Sequence, residues 1–323
     1  MQITINQTPI EVPDGETLIE TAQRMGYSIP SLCYVKGAKH QSSCMVCAVK
    51  NCDTGQIIPS CTTFPTEGMQ IDTESEELRT VRSLSLDLLL SDHRADCEAP
   101  CSMVCPHGLD IERMLKLYDT DRNLEAHEYI ASVFSLPALE CDHCKAPCEK
   151  ICRRGSIDKA VPIRIIIREL VNLYETVSTN GKKEEKKLDK ALFQSRLGRF
   201  TAQEKELLKE TVVTPSGCLH CACAGRDGCK LRRYASEAGI KRTRYESSSA
   251  APVMKKEQVT GNMWFEPAKC IRCGLCVYNS QNGFTFRDRG FGMQVIIPEE
   301  NKINVDEELA KLCPTGALYS VIQ

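Results

Sequence analysis

Cysteine dominates the chemistry that this sequence could perform. The chain has 323 residues, of which 20 are cysteine, and all but Cys52 fall into five groups. The groups are Cys33, Cys44, Cys47 and Cys61; Cys97, Cys101 and Cys105; Cys141, Cys144, Cys148 and Cys152; Cys218, Cys221, Cys223 and Cys229; and Cys270, Cys273, Cys276 and Cys313. Thiolates grouped in this way bind iron–sulfur clusters or zinc, or pair as disulfides in secreted proteins.

The rest of the composition excludes several classes of function. The net charge is −2 and both signs are mixed along the chain, so no basic footprint points to nucleic acid. The first residues lack a basic region followed by an apolar one, and we expect no signal peptide. No apolar run reaches the length of about 20 residues that spans a membrane. We therefore expect a soluble cytoplasmic protein, in which dense cysteines favour metal over disulfides.

The first group of cysteines lies in a predicted small α/β module, residues 1–78. The stretch "QITIN" alternates as a strand does, and "GETLIETAQRMG" has the pattern of an amphipathic helix. The spacing C-x10-C-x2-C-x13-C, together with "IPSLCY", resembles the β-grasp [2Fe–2S] ferredoxin domain of the complex I large iron–sulfur subunit and of iron-only hydrogenases. This resemblance implies a [2Fe–2S] cluster on the first group. A zinc loop is the alternative, and Cys52 is expected to be a thiol without a ligand role.

A helix is predicted next, because "EELRTVRSLSLDLLLSD" has leucines at helical spacing. In the same families such a helix leads into a histidine and, after three more residues, a cysteine; that histidine ligates a [4Fe–4S] cluster. The stretch "LLLSDHRADC" matches with His93 and Cys97, but the cysteines that follow are spaced differently. The alternative for His93 is a polar residue at a helix end.

Two cysteine runs follow, "CEAPCSMVCPHGLDIERML" and "CDHCKAPCEKICRRGSIDKAVPIRIIIREL". They resemble the N-terminal iron–sulfur domain of dihydropyrimidine dehydrogenase and of the glutamate synthase small subunit. The resemblance implies that residues 79–175 form a helical domain with two [4Fe–4S] clusters. Two such clusters need eight ligands and the runs supply seven, so His93 is predicted as the eighth. The ligands shared between these clusters are then His93, Cys97, Cys101, Cys105, Cys141, Cys144, Cys148 and Cys152.

Residues 176–215 are predicted to be a charged helical connector, because lysine and glutamate alternate densely there. Residues 216–323 then form a C-terminal region with two sites. The compact group Cys218, Cys221, Cys223 and Cys229 suits a [4Fe–4S] cluster or zinc, and its basic neighbours favour the anionic cluster. The stretches "KCIRCGLCVYNS" and "LCPTGA" resemble half of a bacterial ferredoxin, which implies one [4Fe–4S] cluster on Cys270, Cys273, Cys276 and Cys313.

The predicted fold class is therefore α+β and multidomain: a β-grasp domain, a helical two-cluster domain and a ferredoxin-like C-terminal domain. The predicted cofactors are one [2Fe–2S] cluster and three to four [4Fe–4S] clusters, with one zinc ion as the alternative to one of the latter. The sequence has no dinucleotide-binding glycine fingerprint after a strand, no P-loop and no evident nucleophile–base motif.

These features predict an iron–sulfur electron-transfer subunit of a multisubunit oxidoreductase. The resemblances imply a flavoprotein or NAD(P)H-oxidising partner subunit and a second redox subunit. Two alternatives stay open: an iron–sulfur enzyme that binds substrate at an incompletely ligated cluster, and a zinc-stabilised interaction scaffold.

Overall fold

A computed structural model of the chain describes residues 1–94, 96–135, 137–174, 200–211, 214–240, 243–245, 254–281 and 283–321. Its contacts divide the chain into two compact units. The first unit comprises Met1–Arg94, Ala224–Ala251 and Lys255–Gln323; the second, called the helical unit below, comprises Ala95–Cys223 and Pro252–Met254. The helical unit therefore interrupts the first unit along the chain. The predicted C-terminal region 216–323 is divided between the two units.

All the described strands lie in the first unit, whereas helices occur in both units. The strands are β1 (Gln2–Ile5), β2 (Thr8–Glu11), β3 (Ala48–Asn51), β4 (Ile57–Pro59), β5 (Gln70–Asp72), β6 (Glu257–Thr260), β7 (Met263–Phe265), β8 (Thr285–Arg287), β9 (Gln294–Ile296) and β10 (Leu318–Ser320). The helices are α1 (Leu18–Arg24), α2 (Glu76–Asp92), α3 (Pro100–Met103), α4 (Ile111–Asp119), α5 (Asn123–Val133), α6 (Pro137–Asp142), α7 (Pro147–Lys150), α8 (Ile163–Leu173), α9 (Ala202–Thr211), α10 (Lys230–Glu237), α11 (Leu275–Asn279) and α12 (Leu309–Leu312).

The N-terminal part of the first unit is a five-stranded sheet with α1 packed against it. The strand order is β2-β1-β5-β3-β4, and β1 runs parallel to β5 while the other neighbours are antiparallel. Ile3 and Ile5 alternate toward one face and are fully buried, as period-two patterning requires. A capping box between Thr17 and Glu20 starts α1. This arrangement agrees with the predicted β-grasp domain.

Helix α2 connects this sheet with the C-terminal part of the same unit. Leu78, Leu86 and Leu90 are its buried apolar residues, and α10 packs against it. The C-terminal part contains a three-stranded sheet, β10-β7-β6, and the hairpin β8–β9. Both pack around one apolar core that includes Met263 and Phe265.

The helical unit is built on one apolar core between α4, α5, α6 and α8. The residues Ile163, Ile166, Ile167 and Leu170 follow the i, i+3, i+4, i+7 pattern and are buried along one face of α8. Several cysteines belong to the same core, among them Cys101 and Cys218. Much of the predicted connector 176–215 lies outside the described residues, and its described part contains α9.

At the level of fold class the prediction is confirmed: the chain has an N-terminal sheet, a helical middle and a C-terminal sheet. Among the described residues, none of the helices has both the length and the apolar character needed to cross a bilayer.

Candidate iron–sulfur sites

The first group of cysteines converges in loops at one end of the N-terminal sheet. All four side chains are buried, and the sulfurs of Cys33 and Cys44 lie 3.3 Å apart. A hydrogen bond from the Cys44 thiol lowers the pKa of Cys33 to about 2. A hydrogen bond from Cys61 lowers the pKa of Cys47 to about 7. Hydrogen bonds to Cys33 raise the pKa of Cys44 and of Cys61. The arrangement therefore favours the thiolate, which is the form that binds metal, at two of the four cysteines.

A half-buried arginine of α2 lies beside this group. The Nε and Nη2 atoms of Arg82 both donate to the carbonyl oxygen of Ala48, at 3.0 and 2.6 Å. Burial lowers the pKa of Arg82, whereas negative charge on Cys47 raises it. An arginine keeps its proton in proteins, so Arg82 places a positive charge next to the ligands.

The last group forms a second site in the same unit. The backbone N–H groups of Arg272 and Leu318 donate to the sulfurs of Cys270 and Cys313, at 3.3 and 3.4 Å. Burial raises the pKa of Cys270 to about 12. Gly274 has φ +80°, and a Cβ there would stand 2.5 Å from the Tyr278 ring, so only glycine fits the loop.

The loops of these two sites touch each other. The N–H of Lys39 donates to Oδ1 of Asn279 at 2.9 Å, and Nδ2 of Asn279 donates to the Lys39 carbonyl at 2.8 Å. Burial raises the pKa of Cys273 most, and negative charge on Cys313 and Cys270 raises it further. Negative charge on Cys33, from the other site, also raises it. The first and last groups are therefore neighbours within the first unit.

The helical unit brings together four cysteines from both runs. Burial raises the pKa of Cys141 to about 12, and the charges of Cys105, Cys148 and Cys144 add to that effect. Burial likewise raises the pKa of Cys148 to about 11. These four thiols form one group, in which Cys105 comes from the first run and the other three come from the second.

A second set of cysteines in this unit lines one cavity. Two come from the runs and two from the later compact group; they are Cys101, Cys152, Cys218 and Cys221. The spacing along the chain gave no sign of this association, because it joins residues from three sequence groups. Sequence reasoning also missed the buried ion pair of Arg153 and Asp96, whose Nε and Oδ2 atoms are 2.6 Å apart.

Four predicted ligands are divided between the units. Cys97 and Cys223 belong to the helical unit, where the Cys223 N–H donates to the Cys97 carbonyl at 3.3 Å. His93 and Cys229 belong to the first unit: His93 is buried at the end of α2, and Cys229 precedes α10. Their roles as ligands stay a prediction. Cys52 is exposed.

The cysteine groups above are defined by burial and by the proximity of their sulfurs. Within the described ranges, no three or more histidine, cysteine or carboxylate side chains are arranged to hold a single metal ion.

Comparison with known proteins identifies the N-terminal part of the chain. Residues 1–76 match the family described as the 2Fe-2S iron-sulfur cluster binding domain. The chain is 27% identical over 165 residues to an NADH-quinone oxidoreductase subunit of Rhizobium meliloti, which covers 47% of this chain and 19% of that protein. It is 35% identical over 102 residues to the HndD subunit of the NADP-reducing hydrogenase of Solidesulfovibrio fructosivorans, covering 30% of this chain and 17% of that protein.

A third relative is shorter. The gamma subunit of the NAD-reducing hydrogenase HoxS of Cupriavidus necator is 30% identical over 97 residues, covering 30% of this chain and 41% of that protein. The aligned region of this chain thus spans less than half of each of these relatives.

Among solved structures, a chain of an NAD+-reducing [NiFe]-hydrogenase in the H2-reduced state has a similar fold. Its TM-score is 0.53 at 16% identity, and the match covers 99% of this chain and 86% of that one. Residues 1–76 therefore form a [2Fe–2S] cluster binding domain, homologous to those of NADH-quinone oxidoreductase and hydrogenase subunits.

Proposed function

We propose that this chain is a cytoplasmic electron-transfer subunit, which relays electrons one at a time between a flavin- or NAD(P)H-linked partner and a second redox subunit. The observation that carries the proposal is the contact between two cysteine sites in the first unit. There the loop of the [2Fe–2S] domain is hydrogen-bonded to the C-terminal cysteine loop through Lys39 and Asn279. Adjacent redox sites are the arrangement that an electron relay requires.

The side chains present at these sites suit iron–sulfur clusters. Each site offers four thiols, and backbone N–H groups point at the sulfurs of Cys270 and Cys313. Such hydrogen bonds stabilise negative charge on sulfur and help to set the reduction potential. When bound, an iron–sulfur cluster supplies a centre that gains or loses one electron. The protein holds the ligands, places the positive charge of Arg82 near one site, and limits access of water to the first group by burying its four thiols.

In this proposal the [2Fe–2S] cluster is held by Cys33, Cys44, Cys47 and Cys61, and a [4Fe–4S] cluster is held by Cys270, Cys273, Cys276 and Cys313. Further [4Fe–4S] clusters use the cysteines of the helical unit, and His93 is a ligand to one of the [4Fe–4S] clusters. The relatives' names supply the suggestion of a partner, because they refer to NADH, NADP and NAD.

The first experiment measures iron, acid-labile sulfide and zinc per chain after anaerobic purification. About 18 iron atoms with equal sulfide and no zinc correspond to one [2Fe–2S] and four [4Fe–4S] clusters and support the relay. About 14 iron atoms with about one zinc ion support a shorter relay with one structural zinc site.

A protein with negligible iron and sulfide contradicts the proposal and favours the zinc-stabilised scaffold. The matched control is Cys52→Ser, which removes the exposed cysteine that no site uses. It should leave iron and sulfide unchanged.

A further inference from the structure

The helical unit contains a small cavity of about 20 Å³. Four cysteines line it: Cys101, Cys152, Cys218 and Cys221. The remaining lining is apolar, with Leu115, Val161 and Ile163 among its residues, except for the charged residues Glu112, Arg153 and Arg154. Four thiols at one cavity offer sulfur as the ligand chemistry for a metal cluster.

The four cysteines reach the cavity from different parts of the unit. Cys101 lies in α3, Cys152 follows α7, and the other two lie in the loop before α10. Cys101 and Cys218 are both less than a tenth exposed. Burial raises the pKa of Cys101, and negative charge on Cys218 and Cys152 raises it further. The thiols are therefore close enough to act on one another.

Side chains of α4 hold the later loop in this position. The N–H and hydroxyl groups of Ser216 both donate to the Asp119 carboxylate at 2.7 Å. The ring of His220 lies between two carboxylates, with Nδ1 at 3.1 Å from Glu112 and Nε2 at 3.1 Å from Asp119. Four contacts to one helix fix the segment that carries Cys218 and Cys221, so the cysteines are positioned by the fold.

The local backbone of this segment matches that of the ferredoxin-like loop. In Cys270–Cys273, the third residue Arg272 has φ +56° and donates its N–H to the first sulfur at 3.3 Å. In Cys218–Cys221, the third residue His220 has φ +48° and donates its N–H to the first sulfur at 3.3 Å. A positive φ is uncommon outside glycine, so its occurrence at the same place in both loops indicates a shared purpose.

We propose that one [4Fe–4S] cluster is held by Cys101, Cys152, Cys218 and Cys221 together. The proposal follows from their shared cavity, from the hydrogen bonds that hold the later loop against α4, and from the backbone conformation which that loop shares with the ferredoxin-like loop. The neighbouring group of Cys105, Cys141, Cys144 and Cys148 then holds another. The inference rests on the proposed electron-transfer function, because it assigns ligands to clusters which that function requires. It separates Cys218 and Cys221 from Cys223 and Cys229, with which their spacing along the sequence had grouped them.

The test compares iron content in two paired variants and their combination. Cys101→Ala with Cys152→Ala, and Cys218→Ala with Cys221→Ala, should each remove about four iron atoms per chain. If the four cysteines share one cluster, the quadruple variant also loses about four. A loss of about eight iron atoms in the quadruple variant overturns the assignment, because the two pairs then serve different clusters. Iron that is already negligible in the unmodified chain would contradict the proposed function instead.

Single serine variants provide the test if alanine variants do not fold. Cys101→Ser and Cys218→Ser should change the same electron paramagnetic resonance signal of the reduced protein, whereas Cys229→Ser should leave that signal unchanged. If Cys218→Ser and Cys229→Ser change one common signal, and Cys101→Ser changes another, the assignment is wrong. The signal of the neighbouring cluster on Cys105, Cys141, Cys144 and Cys148 reports on folding of the helical unit in each variant, and Cys52→Ser is the control for loss of a cysteine as such.

Discussion

The N-terminal site and the cavity of the helical unit each offer four thiols, but they draw them from very different lengths of chain. At the N-terminus all four cysteines lie within residues 33–61, on a sheet with an apolar core of its own. In the helical unit the cavity cysteines extend from Cys101 to Cys221. Each site contributes two cysteines to an apolar core, Cys47 and Cys61 at the N-terminus and Cys101 and Cys218 in the helical unit. The first site therefore joins residues of one small module, whereas the second joins segments that lie far apart along the chain.

Cluster removal should show this difference most strongly. Oxidising the protein and chelating its iron should loosen the helical unit more, because four cysteines, Cys101, Cys141, Cys148 and Cys218, lie in its core, against two in the N-terminal core. We expect amide hydrogen-exchange protection in α4, α5 and α8 to fall by at least ~100-fold, against less than ~10-fold in β1 and β5. Exchange followed by mass spectrometry measures both regions in one sample. Equal loss in the two regions contradicts the comparison.

The second-largest expected effect concerns the buried ion pair beside the cavity. Arg153→Ala removes the guanidinium from the Asp96 carboxylate, and both side chains are less than a tenth exposed. Removing one partner of such a pair costs about 3–5 kcal/mol. Denaturant unfolding of the cluster-loaded protein should show a free energy of unfolding that is lower by this amount.

The next arginine along the chain is the matched control for that measurement. Arg154 pairs with Asp158, which is more than a third exposed, so Arg154→Ala should cost no more than about 1 kcal/mol. A similar cost for both variants would show that burial does not strengthen the Arg153–Asp96 pair.

His93→Cys tests the predicted histidine ligand in the first unit. A neutral imidazole in place of a thiolate raises a cluster's potential, so the cysteine variant should lower the potential of one [4Fe–4S] cluster by on the order of 100 mV. A redox titration followed by electron paramagnetic resonance measures it. The [2Fe–2S] potential should stay constant and serves as the internal control. If no cluster shifts, His93 is not a ligand.

The smallest expected effect concerns the N-terminal site. Arg82→Gln removes a positive charge close to Cys47 and should lower the [2Fe–2S] potential by tens of millivolts, about what one charge exerts across a protein interior. Arg79→Gln changes an exposed arginine of the same helix and should leave the potential within error. Equal shifts in the two variants would mean that burial of Arg82 is immaterial.

Local patterns were sufficient to assemble the first and last groups of cysteines, whose roles as ligands stay a prediction. In both, the cysteines are close in sequence or end in a C-P signature, so spacing along the chain reflects spacing in the fold. The β-grasp sheet was also predictable, because the alternation of Ile3 and Ile5 and the capping residues of α1 are local signals. The match of residues 1–76 to a [2Fe–2S] family supports that prediction.

The cavity site could not be predicted in the same way. Its position depends on Ser216 and His220 reaching carboxylates of α4 about a hundred residues earlier, and no spacing rule encodes such pairings. One signal was present: the two runs hold an odd number of cysteines, which leaves a ligand to be found elsewhere. The sequence points to His93 for that place, whereas the fold also brings Cys218 and Cys221 to the cysteines of the runs.

The paired hydrogen bonds between Asn279 and the backbone of Lys39 bear on the rate of electron transfer in the proposed relay. Electron tunnelling becomes steeply slower as the gap between two centres widens, so a gap that fluctuates makes the transfer rate fluctuate with it. A single hydrogen bond would allow one loop to swing about the other. A donor and an acceptor on the same amide suppress that swing and keep the gap constant. In the proposed relay, the side chain of Asn279 would hold the distance between the two centres constant, so the transfer rate would stay the same from one turnover to the next.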